Sequence, residues 1–62
     1  MRRMPSSRVF AGKRYERVGS YGTKREAEAG ARKMRSYGNL ARVTKFTDSF
    51  KRVYYLLFVK YQ

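Results

Sequence analysis

The chain has 62 residues, and its 16 lysines and arginines outnumber four acidic residues, giving a formal net charge of +12 at pH 7. Because it has no cysteine and no histidine, disulfides and thiolate metal sites are excluded, and zinc binding and acid–base catalysis lose their usual residue. A domain this short has a marginal core. So strong a positive charge favours a polyanionic partner, with nucleic acid first and an anionic membrane surface second.

The first third of the chain predicts a tail followed by a hairpin. Residues 1–7 are basic and contain serine and proline without periodicity, so we expect a flexible basic tail, and residues 8–62 are predicted to form a single domain. Two β-prone segments, residues 8–10 and 14–18, flank a glycine-containing link and predict a hairpin. The second strand is expected to continue to Ser20 or Tyr21.

A helix is predicted between Thr23 and Gly38. Thr23 and Glu26 have the spacing of a capping box, and Gly38 is placed to end the helix in a left-handed conformation. Small residues recur on one face, which favours close packing on a sheet: Ala27, Gly30 and Ala31, followed by Met34 and Tyr37. On the opposite face, Glu28 has the spacing to pair with Arg25 and Arg32, so that face is either a solvated surface or a binding surface.

Two strands are predicted after Gly38, at residues 40–46 and 52–61, with a polar turn at 47–49. The last strand is apolar on both faces, which indicates a central strand. It is expected to insert between the two strands that flank the helix, antiparallel to both. The predicted fold is α+β, with the order ββαββ and a four-stranded, mostly antiparallel sheet that carries one helix on one face.

One helix covers one face of such a sheet, so Tyr54, Leu56 and Phe58 are expected on the uncovered face. Aromatic side chains there favour either base stacking or burial in a homodimer. A homodimer would give a small chain the core that it lacks, and ordinary core packing is the third interpretation.

Three resemblances accompany these patterns. Residues 15–21 (Tyr-Glu-Arg-Val-Gly-Ser-Tyr), residues 23–28 (Thr-Lys-Arg-Glu-Ala-Glu) and residues 41–43 (Ala-Arg-Val) resemble the SPOR domain, which implies a ribonucleoprotein-like fold and binding of peptidoglycan glycans. Residues 21–29 are similar to the helix start in the arm-type DNA-binding domain of tyrosine recombinases, where a three-stranded sheet lies in the major groove. The whole chain also resembles the small basic proteins of archaeal viruses and plasmids.

The function predicted from these observations is non-catalytic binding of nucleic acid, DNA more than RNA, through phosphate contacts to the double strand. No enzymatic activity, metal, cofactor, small-molecule substrate or membrane span is expected, and the location is expected to be cytoplasmic, in the host cell if the protein is viral. The alternative is a protein-interaction or dimerisation module whose basic surface has no nucleic-acid role. The candidate phosphate contacts are Arg2, Arg3, Lys13, Arg14, Lys24, Arg25, Arg42, Lys45, Lys51 and Arg52.

Overall fold

The computed structural model describes residues 5–62, which form one helix and one four-stranded sheet. The elements in chain order are β1 Ser7–Phe10, β2 Lys13–Tyr21, α1 Lys24–Ser36, β3 Leu40–Thr47 and β4 Val53–Lys60. The strand order in the sheet is β1-β2-β4-β3, and every neighbouring pair is antiparallel. The predicted α+β fold, with β4 inserted between β2 and β3, is confirmed.

The start of β1 differs slightly from the predicted end of the tail. Ser7 is already part of the strand and lies opposite Glu16 of β2. The Ser6 carbonyl accepts a hydrogen bond from the Arg17 N–H at 2.9 Å. The sheet therefore begins inside the segment predicted as a tail, of which residues 1–4 lie outside the described residues.

Strand β4 is the centre of the structure because its side chains fill two separate cores. Leu57 and Val59 point towards α1, where they pack with Ala31 and Ala41. Leu56 and Phe58 point to the other face and pack with Tyr15, and the alternation predicted for this strand is confirmed.

Both ends of α1 have capping interactions, but the first turn has one of the two hydrogen bonds of the predicted capping box. The Thr23 hydroxyl accepts a hydrogen bond from the Glu26 N–H at 3.3 Å, and Thr23 has extended backbone angles. At the other end Gly38 has φ +87°, with its N–H bonded to the Arg35 carbonyl and the Asn39 N–H bonded to the Met34 carbonyl. This pair of bonds is the Schellman arrangement, which a residue at positive φ allows.

The small face of α1 lets the helix lie very close to the sheet. Ala27 and Ala31 are almost fully buried. A Cβ atom at Gly30 would approach the Leu57 Cδ2 and the Tyr21 hydroxyl to 3.0 Å, closer than ordinary contact. Larger side chains at these positions would therefore force the helix away from the sheet.

The face of the sheet opposite α1 is not open, which contradicts the predicted exposure of Leu56 and Phe58. These two side chains are 1% and 0% exposed, while Tyr54 is half-buried. The reason is that the sheet curls and β1 covers part of this face. The Phe10 ring lies 5.1 Å from Tyr15 and 5.8 Å from Phe58, measured between ring centroids.

Thr23→Ala is expected to lower the free energy of unfolding by about 1 kcal/mol, because the first turn of α1 loses its capping hydroxyl. Urea denaturation followed by circular dichroism would measure the change. Thr23→Ser keeps the hydroxyl and is the matched control, for which we expect little loss. Equal destabilisation by both variants would contradict the capping role.

Candidate nucleic-acid interface

The topology separates the basic residues into two ends of the sheet. Because β2 and β3 both run antiparallel to β4, the start of α1 lies at the same end as the β3–β4 turn. We call this end, residues 23–25 and 48–52, the turn end. The link between β1 and β2, residues 11–12, lies at the opposite end, beside the end of β4.

Five of the ten candidate phosphate contacts lie at or beside the turn end, and all five are exposed: Lys24, Arg25, Lys45, Lys51 and Arg52. Lys13 and Arg14 lie at the opposite end of the sheet. Arg42 is paired with Phe58 and therefore belongs to the face away from α1. Arg2 and Arg3 lie outside the described residues.

A groove runs between α1 and β3, which is an edge strand of the sheet. Near the turn end, Lys24 and Lys45 flank a floor that includes Val43 and Tyr55. Towards the other end of α1, the groove is lined by Arg32 and Arg35 of the helix. We call this feature, whose walls are basic apart from Glu28 and whose floor is partly apolar, the α1–β3 groove.

Little of this positive charge is neutralised within the chain. Among residues 5–62 the structure has one ion pair, between Lys24 Nζ and Glu28 Oε1 at 3.9 Å, and both side chains are more than half exposed. Glu28 thus pairs with Lys24 rather than with Arg25 or Arg32 as its spacing predicted. An exposed pair of this kind contributes about 0–1 kcal/mol and leaves both groups accessible to a ligand.

The arginine at the end of α1 has a structural contact. The Arg35 guanidinium donates a hydrogen bond to the Ala41 carbonyl at 2.9 Å. This bond ties the last turn of the helix to the start of β3. Arg35 therefore helps to fix the width of the α1–β3 groove as well as contributing charge to it.

The β3–β4 turn has a defined geometry that Asp48 maintains. Asp48 Oδ1 accepts hydrogen bonds from the backbone N–H of Phe50 at 2.8 Å and of Arg52 at 2.9 Å. The Asp48 N–H also donates to the Arg52 carbonyl, and its own carbonyl accepts from Lys51, which has φ +62°. These bonds therefore hold the backbone of the turn, and the side chains of Phe50, Lys51 and Arg52 project from it into solvent.

A second group of cations lies on the face away from α1. The guanidinium carbons of Arg8 and Arg42 lie 5.1 and 5.6 Å from the centre of the Phe10 ring. Arg8 belongs to one edge strand and Arg42 to the other, so these contacts join the two edges of the curled sheet. They are cation–π contacts, which contribute about 0.5–1 kcal/mol at exposed sites and give both arginines a structural role.

Sequence reasoning missed two features of this surface. Arg8 was not among the candidate cations, and its spacing of two residues from Phe10 in a strand is the signal that would have placed both on one face. The exposure of Phe50 was also missed. Its position between a polar turn and the apolar run of β4 is the signal that would have placed it at the tip.

No family model, curated protein or solved structure matches the chain. The resemblances to the SPOR domain, to the recombinase arm domain and to small archaeal viral proteins therefore stay predictions.

Residues 5–62 offer neither a cluster of metal-ligating side chains nor a membrane-spanning helix. Within this range, three or more acidic side chains do not come together as they would to hold a metal ion. The helix α1 in the same range is too short and too polar to cross a bilayer.

Proposed function

We propose that the protein binds nucleic acid without catalysing a reaction, and that double-stranded DNA is its preferred partner. The observation that carries the proposal is the gathering of five exposed cations at or beside the turn end, with one exposed ion pair to offset them in the described residues. The start of α1 adds the positive end of the helix dipole at the same place. Such a partner implies a cytoplasmic location, in the host cell if the protein is viral.

The spacing along α1 fits a phosphate backbone. Lys24 and Arg32 are eight residues apart on one side of the helix, which corresponds to about 12 Å along its axis. A strand of duplex DNA presents three or four phosphates over that length, at about 3.4 Å each. Lys24 and Arg32 are therefore spaced to contact two phosphates of one strand, on either side of Glu28, which pairs with Lys24.

Titration of a labelled duplex at several salt concentrations tests the proposal. If about five phosphates are neutralised, the logarithm of the binding constant should fall against the logarithm of salt with a slope of about −4 to −5. The slope reports the number of cations that displace counterions from DNA. Absence of binding at low salt, or binding that does not respond to salt, would contradict phosphate recognition.

A pair of matched double variants tests the place of binding. Lys51→Glu with Arg52→Glu and Lys13→Glu with Arg14→Glu make the same change in net charge at opposite ends of the sheet. We expect the first to weaken duplex binding more than tenfold beyond the second and to make the salt slope less steep by about 2, because two phosphate contacts are lost. Equal losses would mean that the overall charge, and not the turn end, attracts DNA.

A second candidate function, a protein-interaction module, is favoured by the position of β3 at the edge of the sheet. This edge strand has eight residues and pairs with β4 along its whole length without a bulge. Such an edge can pair with a strand from another chain, including a second copy in a homodimer. A homodimer stays a prediction, but Leu56 and Phe58 are buried and would not form its contact. Sedimentation with and without DNA would distinguish the two functions.

A further inference from the structure

Phe50 is the most exposed large apolar side chain among the described residues. It is 82% exposed at the tip of the β3–β4 turn, although the other phenylalanines of this small chain are buried or half-buried. Tyr37 and Tyr61 are also exposed, but each has a hydroxyl that hydrates well, whereas phenylalanine has none. Single exposed apolar side chains are common on protein surfaces, so it is the geometry of its turn and the charges beside it that distinguish Phe50.

The position of Phe50 is held by the backbone of the turn. Its N–H is bonded to Asp48 Oδ1, and the same oxygen holds the Arg52 N–H two residues later. The ring therefore projects from a backbone that these two hydrogen bonds hold in place. A turn whose backbone is already held loses less conformational freedom when it binds a ligand.

The neighbours of Phe50 indicate the chemistry of the ligand. Lys51 and Arg52 follow it directly, and both are exposed. A flat apolar ring beside two cations is complementary to a molecule that has flat rings and negative charges close together. A nucleobase with its adjoining phosphates has that combination, and stacking on aromatic side chains is the usual way in which proteins hold unpaired bases.

We propose that Phe50 stacks on an unpaired DNA base while Lys51 and Arg52 contact the adjoining phosphates. This inference rests on the proposed function and makes it more specific. In an intact duplex both faces of each base are covered by neighbouring bases, and inserting a side chain requires that they unstack. At a gap, an end or a junction one face is free. The protein should therefore prefer duplex DNA that is interrupted by unpaired bases over fully paired DNA.

The test compares the dissociation constants for two DNAs of equal length, one fully paired and one with a short central gap. The wild-type protein is expected to bind the gapped DNA roughly 5- to 150-fold more tightly, the range that the loss of one stacked base represents. Phe50→Ala should remove this preference, so that the ratio of the two dissociation constants falls close to one. Tyr61→Ala is the matched control, since Tyr61 is an exposed aromatic residue at the far end of the sheet, and it should behave as wild type.

The other outcomes separate the inference from the proposed function. If Phe50→Ala binds both DNAs as the wild type does, base stacking by Phe50 is wrong and phosphate binding stands. If neither DNA binds at low salt, both proposals fail. Vesicles of phosphatidylserine and phosphatidylcholine provide the last arm: if Phe50→Ala weakens vesicle binding and leaves both DNA affinities unchanged, the tip contacts lipid and the inference is overturned.

Discussion

Phe58→Ala is expected to lower the free energy of unfolding by about 3–5 kcal/mol. Phe58 is 0% exposed, and its ring contacts Phe10 on the face away from α1. Removing it deletes a large buried group and leaves a cavity between β1 and β4. Since small domains unfold at a cost of about 5–15 kcal/mol, with this chain at the lower end by its size, much of the stability would be lost.

Thermal and urea denaturation would measure this effect, with Phe50→Ala as the matched control. Phe50 is the same residue type on the surface of the same hairpin, and its replacement should change stability by less than about 0.5 kcal/mol. A loss below about 1 kcal/mol for Phe58→Ala would mean that the second core is loosely packed, against the burial described above.

Ala27→Leu is expected to destabilise the protein by about 1–3 kcal/mol, although leucine and alanine both favour helices. Ala27 is 0% exposed and lies on the side of α1 that faces the sheet. The three carbon atoms that leucine adds would have to displace the helix from the sheet. Displacement would also widen the α1–β3 groove, so we expect weaker duplex binding in the fraction that remains folded.

The matched control for this variant is Ala29→Leu, which makes the same chemical change on the exposed side of the helix. Its effect on the midpoint of urea unfolding should be small, because helix propensity hardly changes and no contact is crowded. If the two variants unfolded at the same urea concentration, the close approach of α1 to the sheet would be refuted.

Local patterns were sufficient to predict the fold. The cap at Thr23, the glycine at Gly38 and the two apolar faces of β4 each have a short-range signature, and the structure has all three. The right-handed preference of a strand–helix–strand unit then leaves few ways to place β4. Element order and strand order could therefore be derived together.

The covered face could not be predicted in this way, because it depends on contacts between distant segments. Alternation along β4 places Phe58 on the face away from α1 but says nothing about curvature of the sheet. That curvature brings Phe10 of one edge strand within 5.6 Å of the Arg42 guanidinium of the other edge strand. Such a contact follows from the twist of all four strands and has no signature within any one of them.

The sequence predicted that basic residues form the candidate site, but not which of them come together in the fold. Every segment contains basic residues, so charge alone could not rank them. Lys24 and Lys51 lie at the same end of the sheet because β2 and β3 both run antiparallel to β4. The end of β2, where α1 begins, is therefore beside the β3–β4 turn. The pairing of Glu28 with Lys24 also depends on side-chain conformations that spacing does not determine.

The central position of β4 has a consequence for how fast the chain folds. β2 and β3 are not neighbours in the sheet, because β4 lies between them and pairs with both. β4 is also the last strand of the described sequence. Pairing of Glu16 with Val59 must close a loop that includes most of the described chain, and chain closure of that kind slows folding. Helix α1 and the β1–β2 hairpin are local and form early, but their apolar faces have no stable partner until β4 arrives. Folding should therefore be limited by a single late event, the docking of this strand.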